Sequence, residues 1–208
     1  MRIGFIGAGK VTRTLSHHLI GAGHTVVVSN SRGPETLADF VADLGPGAIA
    51  GTKEEATKCD VVILATNWVN VPEALNGIDW RGRILIDATN AYVDAKPDIS
   101  PAGVARSQAA LKGRTSSGMV AEMAVGARLI KAFSNMPMMW IQDFTPKKPR
   151  TVIFASGDDA EAKQLVTELI NSTGLAAIDL GSLAIGGAVH EVGAPLSGVD
   201  LHFVRRLR

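Results

Sequence analysis

The sequence predicts an α/β fold with a doubly wound, mostly parallel sheet, extended by a short C-terminal α/β segment. Short apolar runs alternate with helical patterns through the first two-thirds of the chain, as expected for strands joined by crossover helices. One run, residues 61–65, is apolar throughout and predicts a strand that is buried on both faces. A glycine turn follows the first run directly, which is typical of a strand that passes into a helix.

The apolar runs locate the strands, and the patterns between them locate the helices. Pro34 occupies a first-turn position that a helix tolerates, and Asp158 or Asp159 is expected to cap the last long helix. Residues 91–113 are rich in Pro, Gly and Ser and are predicted to be irregular. The predicted strands span residues 2–6, a run ending at 29, 48–50, 61–65, 83–87, 129–133, 151–155 and 176–180; the predicted helices after the first span 34–44, 52–58, 72–76, 117–125 and 160–172.

The glycine turn after the first strand predicts a dinucleotide site. Gly7 permits backbone angles that are closed to other residues, and Gly9 removes the Cβ that would block a pyrophosphate. The helix that follows directs its N-terminal N–H groups at that phosphate. Thr12 stands where a third small residue is usual, so a slightly wider approach of helix and strand is expected. The residues predicted to bind the cofactor here are Gly7, Ala8, Gly9, Lys10 and Val11.

The end of the second strand predicts which dinucleotide is bound. An NAD site usually has Asp or Glu about 20 residues past the glycines, and that acid is absent. Two hydroxyls, an amide and a guanidinium stand there instead: Ser29, Ser31, Asn30 and Arg32. Because a guanidinium binds two phosphate oxygens at once, this cluster favours the 2′-phosphate of NADP(H).

Small polar residues follow the later strands. Ligands of open α/β sheets bind at the carboxyl ends of the strands, near the switch in strand order. We therefore expect these residues to line the path of the cofactor ribose and nicotinamide, although the same residue types also serve as turn and cap residues. The further predicted cofactor residues are Ala65, Thr66, Asn67, Asn90 and Ala132.

No residue is predicted to be catalytic, and no metal site is predicted. His17 and His18 lie in the first helix without partners spaced for a metal. His190 and Glu191 lie in a loop that could touch a substrate, and a solvated loop is the favoured interpretation. Tyr92 and Lys96 match the spacing of a Tyr-x-x-x-Lys pair, but the proline after Lys96 disfavours the helix that the pair needs. Hydride transfer between two cofactors requires no general acid, because the protein has only to bring two rings together.

Composition and charge restrict the partners. The chain has 21 Lys and Arg residues against 20 Asp and Glu residues, so charge favours neither nucleic acid nor a membrane surface. Cys59 is the single cysteine, which excludes an intrachain disulfide. The first strand begins at residue 2 and no apolar run has the length of a membrane span, so neither a signal peptide nor an anchor is expected. These features predict a cytoplasmic protein.

The chain resembles the NADPH:coenzyme F420 oxidoreductase family over nearly its full length. The resemblance implies a small Rossmann domain, usually a homodimer, that moves hydride between NADP(H) and a deazaflavin or flavin-like partner. Departures from the pattern are Thr12 and Ala91, where similar chains often have glycine or alanine and proline, respectively. The segments that carry the resemblance are IGFIGAGKV, VVVSNSRGPETL, DVVILAT, ILIDATNAY, LIKAFSNM, FASGDDAEAKQLVTELINSTGLAAIDLGSL and GAPLSGVDLHF.

The resemblance also implies where the second cofactor lies. Two segments match the region in which it packs on the nicotinamide, and the substrate-binding residues are Phe133, Ser134, Asn135, Met136, Pro195 and Leu196. We divide the chain accordingly into an NADP-binding domain, residues 1–150, and a small segment, residues 151–208, that completes the acceptor site. A proline-rich link at 137–149 separates them.

Two other functions remain open from the sequence. A reductase of a small imine or carbonyl substrate would need a proton donor, for which Tyr92 is the candidate. A non-enzymatic NADPH-binding sensor would bind the cofactor tightly without turnover.

Overall fold

The computed structural model describes residues 1–94, 96–143 and 149–205, and the strands within them form a single nine-stranded sheet. The order is β3-β2-β1-β4-β5-β6-β7-β8, with β9 paired to β7. Neighbours are parallel from β3 to β6; β7 runs antiparallel to β6 and parallel to β8. The strands are β1 (Arg2–Ile6), β2 (Thr25–Ser29), β3 (Ala48–Ala50), β4 (Val61–Leu64), β5 (Ile84–Asp87), β6 (Arg128–Ala132), β7 (Arg150–Gly157), β8 (Ala176–Asp179) and β9 (His202–Phe203).

Helices cover both faces of the sheet, so the predicted doubly wound fold is confirmed. Short 3₁₀ turns at residues 34–37, 68–70 and 138–141 and a π turn at 183–187 complete the connections. The helices are α1 (Lys10–Gly21), α2 (Ala38–Leu44), α3 (Lys53–Thr57), α4 (Val71–Leu75), α5 (Pro101–Ala110), α6 (Ser116–Met123), α7 (Ala160–Ser172) and α8 (Ala188–His190).

Side chains along β4 alternate between the two faces of the sheet, and each face packs against its own layer of helices. Val61 and Ile63 belong to the core on the α1 and α7 face, whereas Val62 and Leu64 pack with α4 and α6 on the other face. All four side chains are completely buried, as the uninterrupted apolar run predicts.

The prediction that residues 91–113 are irregular is wrong for part of the segment. Residues 101–110 form α5, because Ser100 accepts a hydrogen bond from the Gly103 N–H (3.1 Å) and Pro101 stands in the first turn. Asp159, and not Asp158, caps α7 by accepting from the Ala162 N–H (2.9 Å).

The sheet continues past the position at which we divided the chain. β7 and β8 join the edge that β6 leaves open, so residues 151–179 extend the same sheet. Residues 144–148 of the proline-rich link, which include Pro146 and the two lysines, lie outside the described residues. No helix of the described residues is both long and apolar enough to cross a bilayer.

Gly4 in β1 provides a test of the packing. A Cβ at Gly4 would lie 1.9 Å from the Ala56 carbonyl oxygen of α3, so Gly4→Ala should destabilise the protein by about 1–3 kcal/mol or more through overpacking. Gly21 is the control, because a Cβ there meets no atom within 4 Å. Gly21→Ala should add about 0.4–1 kcal/mol of stability through the unfolded chain. Denaturant unfolding measures the free energy of unfolding of both variants. Equal changes in the two variants would contradict the explanation of Gly4 by packing.

Candidate functional site

A cleft of about 720 Å³ lies at the carboxyl ends of β1, β2 and β4, where the strand order reverses direction. Its volume is typical of a site for a cofactor-sized ligand. Ten of the fourteen predicted cofactor residues line it: Gly7, Ala8, Gly9, Ser29, Asn30, Ser31, Arg32, Ala65, Thr66 and Asn67.

The glycine turn forms the inner wall of the cleft. Gly7 has a φ of +117°, and a Cβ on it would lie 2.2 Å from the Ala65 carbonyl oxygen at the end of β4. A Cβ on Gly9 would meet no atom within 4 Å, so the space beside this backbone is open to a ligand. The N-terminus of α1 begins at the next residue and contributes N–H groups and the positive end of its dipole. The turn therefore has the geometry of a pyrophosphate-binding loop.

Thr12 forms a direct hydrogen bond to the glycine turn. Its side chain is completely buried, and its hydroxyl donates a hydrogen bond to the Gly7 carbonyl (2.7 Å). The hydroxyl thus fastens α1 to the turn, where a smaller residue would contribute close packing alone.

Some polar groups of the loop after β2 hold the loop in place, and others are exposed to a ligand in the cleft. Ser29 donates its hydroxyl proton to the Phe5 carbonyl (2.7 Å), so this group holds β2 to β1. The Asn30 side chain accepts from the Arg32 backbone N–H (2.9 Å) and donates to Thr36 (2.9 Å), which fixes the loop. Ser31 and Arg32 are exposed at the cleft, and within the described residues the Arg32 guanidinium has no hydrogen-bond partner. Arg32 is therefore available to a phosphate.

The opposite wall contains residues that the sequence did not single out: Lys53, Asn70, Glu73 and Ala74. The Lys53 ammonium donates to the carbonyls of Asn76 (3.0 Å) and Glu73 (3.5 Å) and thereby links α3 to the end of α4. The only sequence signal here was the capping box Thr52–Glu55, which marks where α3 begins but not what Lys53 faces.

Four predicted cofactor residues lie outside the cleft lining, and their roles stay predictions. Lys10 is exposed at the start of α1, and Val11 packs against the core. Ala132 is completely buried in β6. Asn90 donates its side-chain N–H to the Ser134 carbonyl (3.0 Å) and so joins the segments that follow β5 and β6.

A buried ion pair lies beneath those two segments. Asp87 ends β5 and Lys131 lies in β6, both are completely buried, and their charged groups are 3.5 Å apart. Asp87 accepts from Ser117 and from both the N–H and the hydroxyl of Thr89 (2.9 and 2.6 Å). Lys131 donates to the Ser116 hydroxyl (3.2 Å) and the Thr89 carbonyl (3.4 Å). These hydrogen bonds offset part of the cost of burying two charges.

The interpretation of His190-Glu191 as a solvated loop is wrong. His190 is completely buried and shares a hydrogen bond with Ser156 (3.1 Å). Glu191 accepts from the N–H and the hydroxyl of Ser116 (both 2.7 Å), so it extends the polar network of Lys131 to the C-terminal part of the chain. Burial, assisted by the Lys131 charge, lowers the pKa of His190 to about 3, and its imidazole is therefore neutral.

Similarity to known proteins agrees with this geometry. Residues 2–91 match the family described as NADP oxidoreductase, coenzyme F420-dependent. The hypothetical protein SMa0349 from Sinorhizobium meliloti is 32% identical, with a TM-score of 0.85 and coverage of 98% of this chain and 96% of that one. A candidate F420-dependent NADP-reductase from Arthrobacter sp. FB24 is 23% identical, with a TM-score of 0.68 over 87% of this chain and 85% of that one.

A longer relative is also similar. Metalloreductase STEAP3 of Rattus norvegicus is 27% identical over 194 residues, which are 92% of this chain and 36% of that protein. The chain thus spans about a third of the length of the curated relatives it matches.

The open parallel sheet and the glycine turn at its switch point define a class by fold, the Rossmann-type dinucleotide-binding domains, and the solved structures above share this fold. Within that fold class, residues 2–91 are similar to the family of coenzyme F420-dependent NADP oxidoreductases.

Arg32 provides a test of cofactor choice. Arg32→Ala should cost about 1.5–3 kcal/mol of NADPH affinity, the range for a charge-assisted hydrogen bond, and leave NADH affinity nearly unchanged. Titration calorimetry with both dinucleotides measures the difference. Arg81→Ala is the matched control, since Arg81 is exposed and pairs with Asp79 away from the cleft. Equal losses for the two dinucleotides would contradict phosphate recognition by Arg32.

The low pKa of His190 predicts a pH dependence of stability. As the pH falls below 6.5, the imidazole of the unfolded chain takes up a proton that the folded imidazole does not, so stability falls between pH 6.5 and about 3. His190→Gln removes this contribution. Between pH 5 and 6.5, the midpoint of urea unfolding should depend less steeply on pH in the variant than in the parent protein. Identical slopes would show that His190 has the same pKa in the folded and the unfolded protein.

Proposed function

We propose that the protein transfers hydride between NADP(H) and a deazaflavin, coenzyme F420, or another flavin-like acceptor, by direct contact of the two rings. The observation that carries this proposal is the cleft at the switch point, with a phosphate-binding turn at its centre and an unpaired guanidinium at one end. The family match of residues 2–91 supports the cofactor and the type of reaction.

The protein's own contribution is to bind, orient and exclude water. The Gly7–Gly9 turn and the N-terminus of α1 hold the pyrophosphate, and Arg32 holds the 2′-phosphate. With both phosphates held there, the nicotinamide would extend toward the segments after β5 and β6, where Asn90 and Phe133 lie. Proximity of two bound rings supplies a large part of the rate without an acid or base.

The reaction balances without a residue that changes its protonation state. NADPH gives two electrons and one hydrogen nucleus as hydride to the acceptor ring, which also takes one proton from solvent and becomes the dihydro form. Within the described residues, no group of three or more His, Cys, Asp or Glu side chains is arranged to hold a metal ion.

Reduction of a small imine or carbonyl compound is the second candidate. Tyr92 follows β5 two residues after Asn90, is half-buried, and has a pKa that burial raises. Its hydroxyl therefore keeps its proton at neutral pH, as a proton donor must. The homodimer and the cytoplasmic location stay predictions.

The proposed function is tested by following NADPH oxidation at 340 nm with different acceptors. Reduced coenzyme F420 or reduced flavin should form in proportion to the NADPH consumed, and parallel reactions contain FMN, FAD, a cyclic imine or no acceptor. Turnover with the deazaflavin alone supports the proposal in its narrow form, and turnover with flavins alone reassigns the acceptor. Turnover with the imine alone, abolished by Tyr92→Phe, would establish the second candidate, and silence with every acceptor while NADPH still binds would favour a sensor.

A further inference from the structure

Three residues of one helical segment line the cleft side by side. Asn70, Glu73 and Ala74 all belong to the cleft lining, and we call them the α4 wall. Residues 68–75 are helical throughout, because a 3₁₀ turn continues directly into α4. Positions i, i+3 and i+4 share one face of a helix, so the α4 wall presents its three side chains to the cleft together.

Glu73 is an unexpected residue in a cleft that holds phosphates. Among the described residues that line the cleft it is the single acid, beside the two cations Arg32 and Lys53. Within the described residues its carboxylate has no hydrogen-bond or ion-pair partner, and the Lys53 ammonium bonds to the Glu73 carbonyl instead (3.5 Å). A carboxylate repels phosphate groups. Its place in this cleft therefore points to a part of the ligand that carries hydrogen-bond donors.

The position of the α4 wall is fixed by a neighbouring helix. The Lys53 ammonium donates to the carbonyls of Asn76 (3.0 Å) and Glu73 at the C-terminal end of α4, where carbonyls are short of intrahelical partners. Lys53 stands at the start of α3, whose N-terminus is fixed by the Thr52–Glu55 capping box. The wall therefore has its position before a ligand binds, which lowers the ordering cost of binding.

The chemistry of NADP(H) brings its purine base into this cleft. The 2′-phosphate and the base are attached to neighbouring carbons of one ribose, so a phosphate held by Arg32 leaves the base in the same cleft. The pyrophosphate at the glycine turn fixes the other side of that ribose. The 6-amino group of adenine is an uncharged donor with two N–H bonds, and the ring nitrogens beside it accept.

We infer that Glu73 and Asn70 select adenine as the base of the dinucleotide by recognising its 6-amino edge. The Glu73 carboxylate only accepts, so it fits an amino group and rejects an oxygen at the same position. The Asn70 amide both donates and accepts, which matches an amino group beside a ring nitrogen. Its side chain is exposed and has no partner within the described residues. The inference rests on the proposed function for its cofactor, NADP(H), and not for its acceptor.

Base-modified nucleotides test this selection. The first pair of probes is NADP⁺ and nicotinamide hypoxanthine dinucleotide phosphate, in which a 6-oxo group and an N1–H replace the amino group and the bare N1. The second pair, adenosine 2′,5′-bisphosphate and inosine 2′,5′-bisphosphate, lacks the nicotinamide. Equilibrium binding to the full chain measures the four dissociation constants, so the result depends on neither turnover nor the acceptor.

The parent protein should bind each hypoxanthine probe at least about ten-fold more weakly than its adenine counterpart, the worth of one charge-assisted hydrogen bond. Glu73→Gln should bring this ratio close to one, because a glutamine amide offers an oxygen to an amino group or an N–H to a 6-oxo group. Asn70→Ala should lower the ratio as well. Both side chains are exposed, so neither substitution removes a core contact.

Two control variants separate recognition of the base from recognition of the phosphate and from a general effect of charge. Arg32→Ala should weaken the adenine and hypoxanthine probes alike and leave their ratio unchanged. Glu168→Gln is the matched control for the loss of one carboxylate, because Glu168 is exposed on α7 and lies outside the cleft lining. It should leave all four dissociation constants unchanged.

Equal binding of the adenine and hypoxanthine probes by the parent protein would overturn the inference, and this comparison needs no variant. A ratio that survives both Glu73→Gln and Asn70→Ala would also overturn it. Equal losses for both probes in Glu73→Gln would assign the carboxylate to a ribose hydroxyl and not to the base. Binding with the expected ratio but without turnover with any acceptor would overturn the proposed function alone, whereas absence of binding by all four probes would overturn both.

Discussion

The close approach of Gly7 to the end of β4 is the constraint on which the site depends. A side chain at Gly7 would overlap the Ala65 carbonyl, so only glycine lets β1 turn into α1 while β4 lies directly beside it. The Gly7 N–H also donates to the Ser29 carbonyl (2.9 Å) at the end of β2. One residue thereby joins the three strand ends that enclose the cleft, and the polar loop after β2 starts from a fixed point.

The two ends of the predicted cofactor path are built by different physical means. At the 2′-phosphate end, exposed groups bind through charge, and the Asn30 side chain preorganises the loop with two hydrogen bonds. Interactions there are screened by salt. At the nicotinamide end the groups are buried, and the Asp87–Lys131 pair ties β5 to β6 beneath the segments that carry Asn90 and Phe133. Under the proposed function, affinity would therefore depend mainly on the first end, and ring geometry on the second.

Local patterns account for what the sequence predicted well. Periodic apolar runs determine strands, and the glycine spacing determines a turn, so ten predicted cofactor residues converge on one cleft. Helix α5 was missed because its cap, Ser100, lies in a segment whose composition alone suggests a loop. The burial of His190 and the position of Lys53 depend on which elements meet in three dimensions, and no local pattern carries that information.

The C-terminal part of the chain is connected to the predicted nicotinamide end, as the first half of the chain is. Glu191 accepts from Ser116, Ser116 accepts from Lys131, and Lys131 faces Asp87, so a continuous polar network connects this segment to β5 and β6. The same segment contacts Asn135, because the Gly198 N–H donates a hydrogen bond to the Asn135 carbonyl (2.7 Å). Because buried networks tolerate little loss of any one member, the proposed function implies that a substitution near residue 191 alters the position of the two rings without contacting either of them. The sheet that continues through β7 and β8 thus helps to position the groups at the nicotinamide end.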